Sequence, residues 1–291
     1  MPITSPALSL AVESLFGAIK PTVDVLRKIG PTDFSADAPN VDIKPGATIK
    51  VPISSIAEAG QYDADSNNYL TGGNTDWATL TATHFLQGYD ISGENIDEGA
   101  NVSRMRQLFA LRAAGGISAA MANATAKALD AVTTSTAVKL KAAPTLADYI
   151  GLAADLKWLD KSAATLVVNG AELALIRAAA AEAHLAGDDA MIAAYLGFGN
   201  MALLPGMASR AAIVPESSVG FLARVPALAV EYAESGVETD EDSGLSIGIV
   251  VADDYAQNRR VVNADLWFGT TVLAANSAAT TAGAIKVGTD G

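Results

Sequence analysis

Between about Asn101 and Val132, apolar side chains recur at gaps of three, four and one: Met105, Leu108, Phe109, Ala113, Ile117, Ala120, Met121, Ala124 and Ala128. This spacing places them on one stripe of a helix of period 3.6, while Arg104, Gln107, Ser118 and Lys127 fall mostly elsewhere. At 1.5 Å per residue the helix would be on the order of 45–50 Å long. The usual globular helix has ~11 residues, so a spine of this length must lie across more than one layer of structure. Ser92 and Asn101 both suit its N-cap, and Asp97 and Glu98 suit the positive end of its dipole. Its weak point is Gly115-Gly116, where each glycine costs roughly 1 kcal/mol against Ala. The pair predicts a bend, or a close approach by another backbone.

Before the spine, Leu10, Val12, Leu15, Phe16 and Ile19 have helical spacing within Ser9 to Ile29, with Pro21 as a break or restart. Residues 30–46, with Gly30-Pro31, Pro39 and Pro45-Gly46, form an extended connector. The period then changes to two. Ile49, Val51 and Ile53 alternate with Lys50, Pro52 and Ser54, and Pro52 marks an edge strand because it cannot donate to a ladder. A second alternating run covers Thr79 to Ile91. Between the runs lies a polar, glycine-rich stretch ending in Gly72-Gly73-Asn74-Thr75-Asp76-Trp77. It is long for a loop in a compact domain and too poor in large apolar residues to build its own core. The reading is a two-stranded arm that leaves the body and is held by something else. Trp77, which this loop cannot bury, is then a partner-contacting anchor.

After the spine, residues 144–260 read as an α/β module. Pro144-Thr145 opens a helix through Leu159, and Ala164–Asn169 is a short buried strand. Gly170 precedes an Ala-rich helix to about Leu185, and Gly187-Asp188-Asp189 is a turn. Met201–Leu204 and Ala211–Val214 are short apolar runs, and Ala227–Tyr232 is a strand. Residues 234–244 are an acidic loop; Leu245–Ala252 and Arg259–Leu273 are strands joined by a polar turn. Ser277 to Gly291 is a low-hydrophobicity tail.

Composition narrows the functional classes. A chain of 291 residues, half of them apolar, can bury a sizeable core in one large domain or two ordinary ones. Abundant Ala and scarce aromatics suit closely packed helices and flat contacts. The formal net charge of −13 does not suggest a basic nucleic-acid-binding face. With no cysteine, disulfides and thiolate metal sites are excluded. The first nineteen residues carry no Lys or Arg for a secretory n-region. The two uncharged stretches, Ala190–Ser209 and Leu266–Ile285, are too rich in Gly, Pro, Thr, Ser and Asn to read as membrane spans.

No catalytic, cofactor-binding or metal-ligating set is assigned. Asp63, Asp65 and Asn67 imitate the start of a calcium loop, but Asn68 stands where Gly is needed and Asn74 where the bidentate Glu belongs. Gly197-Phe198-Gly199 with Ala202 matches a relaxed dinucleotide fingerprint in inverted context, after a helix and before an apolar strand-like run. His84 and His184 have no ligand spacing and read as structural histidines. Glu234, Glu238, Asp240, Glu241 and Asp242 read as a solvated loop. There is no nucleophile elbow and no phosphate-binding glycine loop of the Walker type.

The order of elements resembles the major capsid proteins of tailed phages, the Hong Kong 97-type fold, of class α+β. The carrying residues are Lys44-Pro45-Gly46-Ala47-Thr48-Ile49-Lys50-Val51-Pro52 as the start of an extended loop, Leu80 to Ile91 as its return, Asn101 to Val132 as the spine, Thr145–Ala252 as an axial domain, and Asn263–Ala275 as the last strand. The resemblance covers nearly the whole chain and is specific in element order rather than in motif. It implies an N-terminal arm over 1–42, an extended two-stranded loop and return strand over 43–91, and a peripheral domain with the spine over 92–143. An axial domain over 144–252, strands returning to the peripheral domain over 253–276, and a C-terminal tail over 277–291 complete it.

By that resemblance the chain is a structural protein and not an enzyme. It would self-assemble as hexamers and pentamers into the icosahedral head shell of a virion, enclosing double-stranded DNA without binding it specifically, with no membrane involved. Assembly would take place in the host bacterial cytoplasm, with a portal, a decoration protein as a further candidate partner, and a scaffolding protein. The loop starts within about fifty residues of Met1, which favours a separate scaffolding protein over a cleaved segment. Each loop would lie on a neighbour and each arm under another subunit, which makes Phe16, Tyr62, Tyr69 and Trp77 the candidate inter-subunit contacts. The alternative of the same architecture is an encapsulin-like bacterial nanocompartment. From other classes, an α/β enzyme acting through 144–260 would need a convergent titratable pocket, which the sequence lacks, and a secreted surface-layer or adhesive protein would need a signal, which is not visible.

Overall fold

A computed structural model describes residues 6–30, 48–54, 75–81, 83–90, 99–185, 187–225, 234–240, 242, 244–254, 259–279 and 282–290. In chain order the elements are α1 (Pro6–Ile29), β1 (Thr48–Ser54), β2 (Thr75–Thr81), β3 (Thr83–Asp90), α2 (Gly99–Asp130), β4 (Thr134–Lys141), α3 (Leu146–Gly151), β5 (Ala164–Val168), α4 (Gly170–Glu182), α5 (Asp189–Tyr195), β6 (Asn200–Leu203), β7 (Ala211–Pro215), β8 (Val219–Arg224), β9 (Glu234–Thr239), β10 (Ser246–Asp254), β11 (Arg259–Val272) and β12 (Ile285–Asp290). The class is α+β, as expected.

The first lobe is a sheet in the order β3-β11-β10-β9, with β8 paired to the far end of β11. Its inner face carries Leu245, Ile247, Ile249, Ala264, Leu266 and Phe268. Two helices cover that face: α1 through Leu15, Ile19, Val23 and Leu26, and α2 through Ala113, Ala114, Ile117 and Met121. The second lobe is a sheet in the order β4-β12-β7-β5-β6. Both of its faces are buried, which explains the unbroken apolar run in β5. Leu166 and Val168 face a core shared with α3, α4 and α5, while Val167 faces the other way. There it meets Ala122, Ala126 and Leu129 of α2 and Ile29 of α1.

The spine helix therefore packs Ala113 to Met121 on one sheet and Ala122 to Leu129 on the other. The Ala side chains let it lie close to both. It has 32 residues, about 48 Å at the helical rise. It runs through Gly115-Gly116 without ending. A side-chain carbon at Gly115 would meet nothing within 4 Å, so no other backbone approaches closely at that glycine. Ala128, expected in the apolar stripe, is only half-buried, and Leu129 beside it is fully buried.

Several expectations need correction. The helix expected within Ser9 to Ile29, with Pro21 as a break or restart, is the continuous α1. Pro21 does not break it, because Pro21 and Gly17 both face solvent while the residues on either side are anchored in the first core. The alternating run Thr79 to Ile91 divides into β2, ending at Thr81, and β3, beginning at Thr83. β2 pairs with β1 in a separate two-stranded ribbon, with Pro52 opposite Trp77, whereas β3 pairs with β11. The span 144–252 is not one unit, since β8, β9 and β10 belong to the first sheet and β4 to the second. The helix expected from Thr145 through Leu159 stops at Gly151. The acidic loop 234–244 begins as edge strand β9, antiparallel to β10. The tail 277–291 contains β12, an interior strand of the second sheet. The strand expected at Ala227–Tyr232 lies outside the described residues.

Candidate functional site

Two polar clusters stand out against the apolar cores. The first forms where α3, α4 and the start of β7 meet. Asn169 caps α4, its side-chain oxygen accepting from the Glu172 amide at 2.9 Å. That places Glu172 at the third helical position, near the positive end of the helix dipole. The residue is 1% exposed, so its charge must be met locally. Arg210 meets it with two bonds, Nε to Oε2 at 2.7 Å and Nη2 to Oε1 at 3.1 Å. The Tyr149 hydroxyl donates to Oε1 at 2.5 Å. Nη1 of Arg210 donates to the Lys141 carbonyl at 2.9 Å, tying in β4. Burial, then the hydrogen bond to the Glu172 carboxylate and its charge, push the Tyr149 phenol well above its usual range. The Arg210 guanidinium is held charged chiefly by its bond to Glu172. These donors and acceptors bond to one another, so the arrangement fastens α3, α4 and β4 to the residue before β7.

The second cluster closes the spine helix. The Asp130 carboxylate accepts from the Ala208 amide at 2.8 Å, from the Ser209 amide at 2.9 Å and from the Ser209 hydroxyl. Lys286 donates to the Asp130 carbonyl at 2.6 Å. Burial raises the carboxyl pKa, but the bonds from Ser209 and Ala208 outweigh it and hold the group below the usual carboxylate range. A third, exposed contact joins α1 to the acidic turn: Lys20 reaches Asp242 at 3.0 Å, and Arg27 donates to the Asp242 carbonyl. Sequence reading missed the first two clusters. Asn169 and Glu172 do carry a capping pattern, but nothing local says that the glutamate is buried.

The nucleotide-like Gly197-Phe198-Gly199 is a tight crossing. Gly197 adopts φ 82° after α5, Phe198 is buried, and a side chain at Gly199 would collide with the Ser162 carbonyl. The Gly199 amide donates to the carbonyls of Lys161 and Ala164, so it is committed to the fold. His184 is exposed at the end of α4, with φ 56°. His84 lies opposite Trp267 in the β3–β11 ladder. Asp63, Asp65 and Asn67 lie outside the described residues. Among the described residues, no group of three or more His, Asp or Glu is arranged to hold a metal ion. No helix among them is long and apolar enough to cross a membrane.

Of the candidate inter-subunit residues, Phe16 packs half-buried against the first core of its own chain. Trp77 lies in ribbon strand β2, not in the loop before it. Tyr62 and Tyr69 lie outside the described residues. The sequence did not single out the large apolar side chains that are exposed on the second lobe: Ile150, Leu175, Met191, Tyr195 and Leu203.

No protein-family model matches the chain. No curated protein matches it either. Among solved structures it is similar to the capsid of Ralstonia phage GP4, at 12% identity and a TM-score of 0.47, with 88% of this chain and 85% of that chain covered. It is similar to the capsid of an empty GTA particle, at 14% identity and a TM-score of 0.49, covering 91% and 90% of the two chains. It is also similar to a virus-like particle from Pyrococcus furiosus, at 8% identity and a TM-score of 0.46, covering 89% and 94%. These scores and identities are too low to assign any residue of this chain a counterpart in those proteins.

Proposed function

We propose that this chain is a shell-forming structural protein, the major capsid subunit of a tailed phage with the Hong Kong 97-type arrangement. The observation that carries the reading is the spine. One helix of 32 residues packs on two separate sheets, and a two-stranded ribbon pairs with neither of them among the described residues. The order of helix, ribbon and spine supports the reading. Two packed lobes with a ribbon outside both sheets suit repeated contacts between identical copies. Modest interfaces add up when a shell closes. In this reading the first lobe is the peripheral domain and the second lobe the axial one. Copies group as hexamers and pentamers around double-stranded DNA, and the acidic net charge keeps the wall from gripping it. A portal and a scaffolding protein complete the head in the host cytoplasm.

Sedimentation of material purified from the phage-producing cell, followed by nuclease treatment, tests the proposal. Fast-sedimenting particles that protect double-stranded DNA are expected. Particles holding a protein cargo and no DNA would instead favour the bacterial nanocompartment, and a slowly sedimenting monomer under all conditions would refute both.

A further inference from the structure

The second sheet contains a gap that one segment fills. Among the described residues, the strand partner of β4 is β12, and the partners of β7 are β12 and β5. β12 runs parallel to β4 and antiparallel to β7. Its fit is specific at each residue. Ile285 and Val287 enter the core shared with α3, α4 and α5, and Ala284 enters the core shared with the spine. Lys286 points to the end of the spine helix, where its ammonium meets the Asp130 carbonyl at the negative end of the dipole.

Gly288 lies where the register slips. Lys286 pairs with Thr134, but Gly288 pairs with Lys139, so β4 bulges between them. The Ser135 hydroxyl holds that bulge by accepting from the amides of Ala137 and Val138. A side-chain carbon at Gly288 would stand 2.6 Å from the Ser135 carbonyl oxygen, so only glycine fits there.

We infer that the cleft between β4 and β7 is a strand-receiving site, and that seating residues 284–290 in it fastens the second sheet to the spine helix. Both walls precede this segment in the sequence, so it is the last strand of this sheet to be synthesised. The recognition is strand addition: backbone bonds supply the affinity, and the glycine and the alternating apolar residues supply the specificity. This holds whether or not the chain forms a shell.

The test uses the full-length chain carrying Gly288→Val, with hydrogen exchange followed separately over β4 and over β10–β11. Exchange in β4 should speed up by more than about tenfold while β10–β11 keeps its protection. Adding the free peptide Ala-Ile-Lys-Val-Gly-Thr-Asp, residues 284–290, should restore β4. Unchanged β4 protection in the variant would overturn the inference. So would simultaneous loss in β10–β11, because the segment would then not be a separable fastener. Loss of β4 protection that the peptide does not restore would overturn the receiving-site claim.

Discussion

Replacing Arg210 by Met leaves the Glu172 carboxylate buried without its cation. Three hydrogen bonds disappear: two to the carboxylate and one to the Lys141 carbonyl. The Tyr149 hydroxyl remains as a neutral partner, which cannot balance a charge that is 1% exposed. Breaking a buried ion pair from one side costs about 3–5 kcal/mol. In a chain of this size each kcal/mol moves the melting temperature by about 2–4 °C, so a fall of roughly 6–20 °C is expected. Glu172→Gln in the Arg210→Met background removes the stranded charge, so the double variant should recover about 1–3 kcal/mol of the additive loss. The assay is urea unfolding of the unassembled subunit. Trp158 is a suitable local reporter, since its indole donates to the Ala279 carbonyl inside the second lobe. If Arg210→Met unfolds within about 1 kcal/mol of the parent, Glu172 is not a buried anion and the account of this cluster fails.

Three further outcomes are expected. Gly115→Ala, at an exposed helical position with open space, should stabilise the subunit by up to about 1 kcal/mol in denaturant melts; a loss would show that the glycine is needed for shape. Asp130→Asn should cost about 1–2 kcal/mol at pH 7. Because the folded-state pKa of Asp130 is depressed, that gap is present above the unfolded value of about 3.9 and closes as pH falls through the folded value; paired melts at pH 7 and pH 3 check it, and a gap that widens in acid refutes it. Trp77→Ala should melt like the parent as a free subunit, while assembled particles come apart at lower denaturant, as fits a ring worth roughly 2–3 kcal/mol when buried by a neighbour; an equal loss in the free subunit would make Trp77 a core residue.

Much of the frame was legible because its signals are local and long. Thirty-two residues of period 3.6 announce α2, and Pro52 announces a strand with an open edge. β5 and β7 could be read from continuous apolar runs. The misses share a cause: their structure is set by distant partners. β4 has a bulge at Ser135, so its buried positions do not alternate cleanly. β12 has few apolar residues, yet it is an interior strand because β4 and β7, far back in the chain, leave a gap for it. β9 reads as an acidic loop because one of its edges faces no other described strand, where charge is tolerated. The same holds for the polar clusters, since Glu172 and Arg210 are brought together only by the fold.

The central claim is that copies of this chain build a closed shell. Electron microscopy of the purified full-length protein measures this directly. Closed particles of uniform diameter, with five-fold and six-fold groups of subunits in their averages, are the predicted result. Monomers or small open oligomers at every concentration, salt and scaffold condition would contradict it.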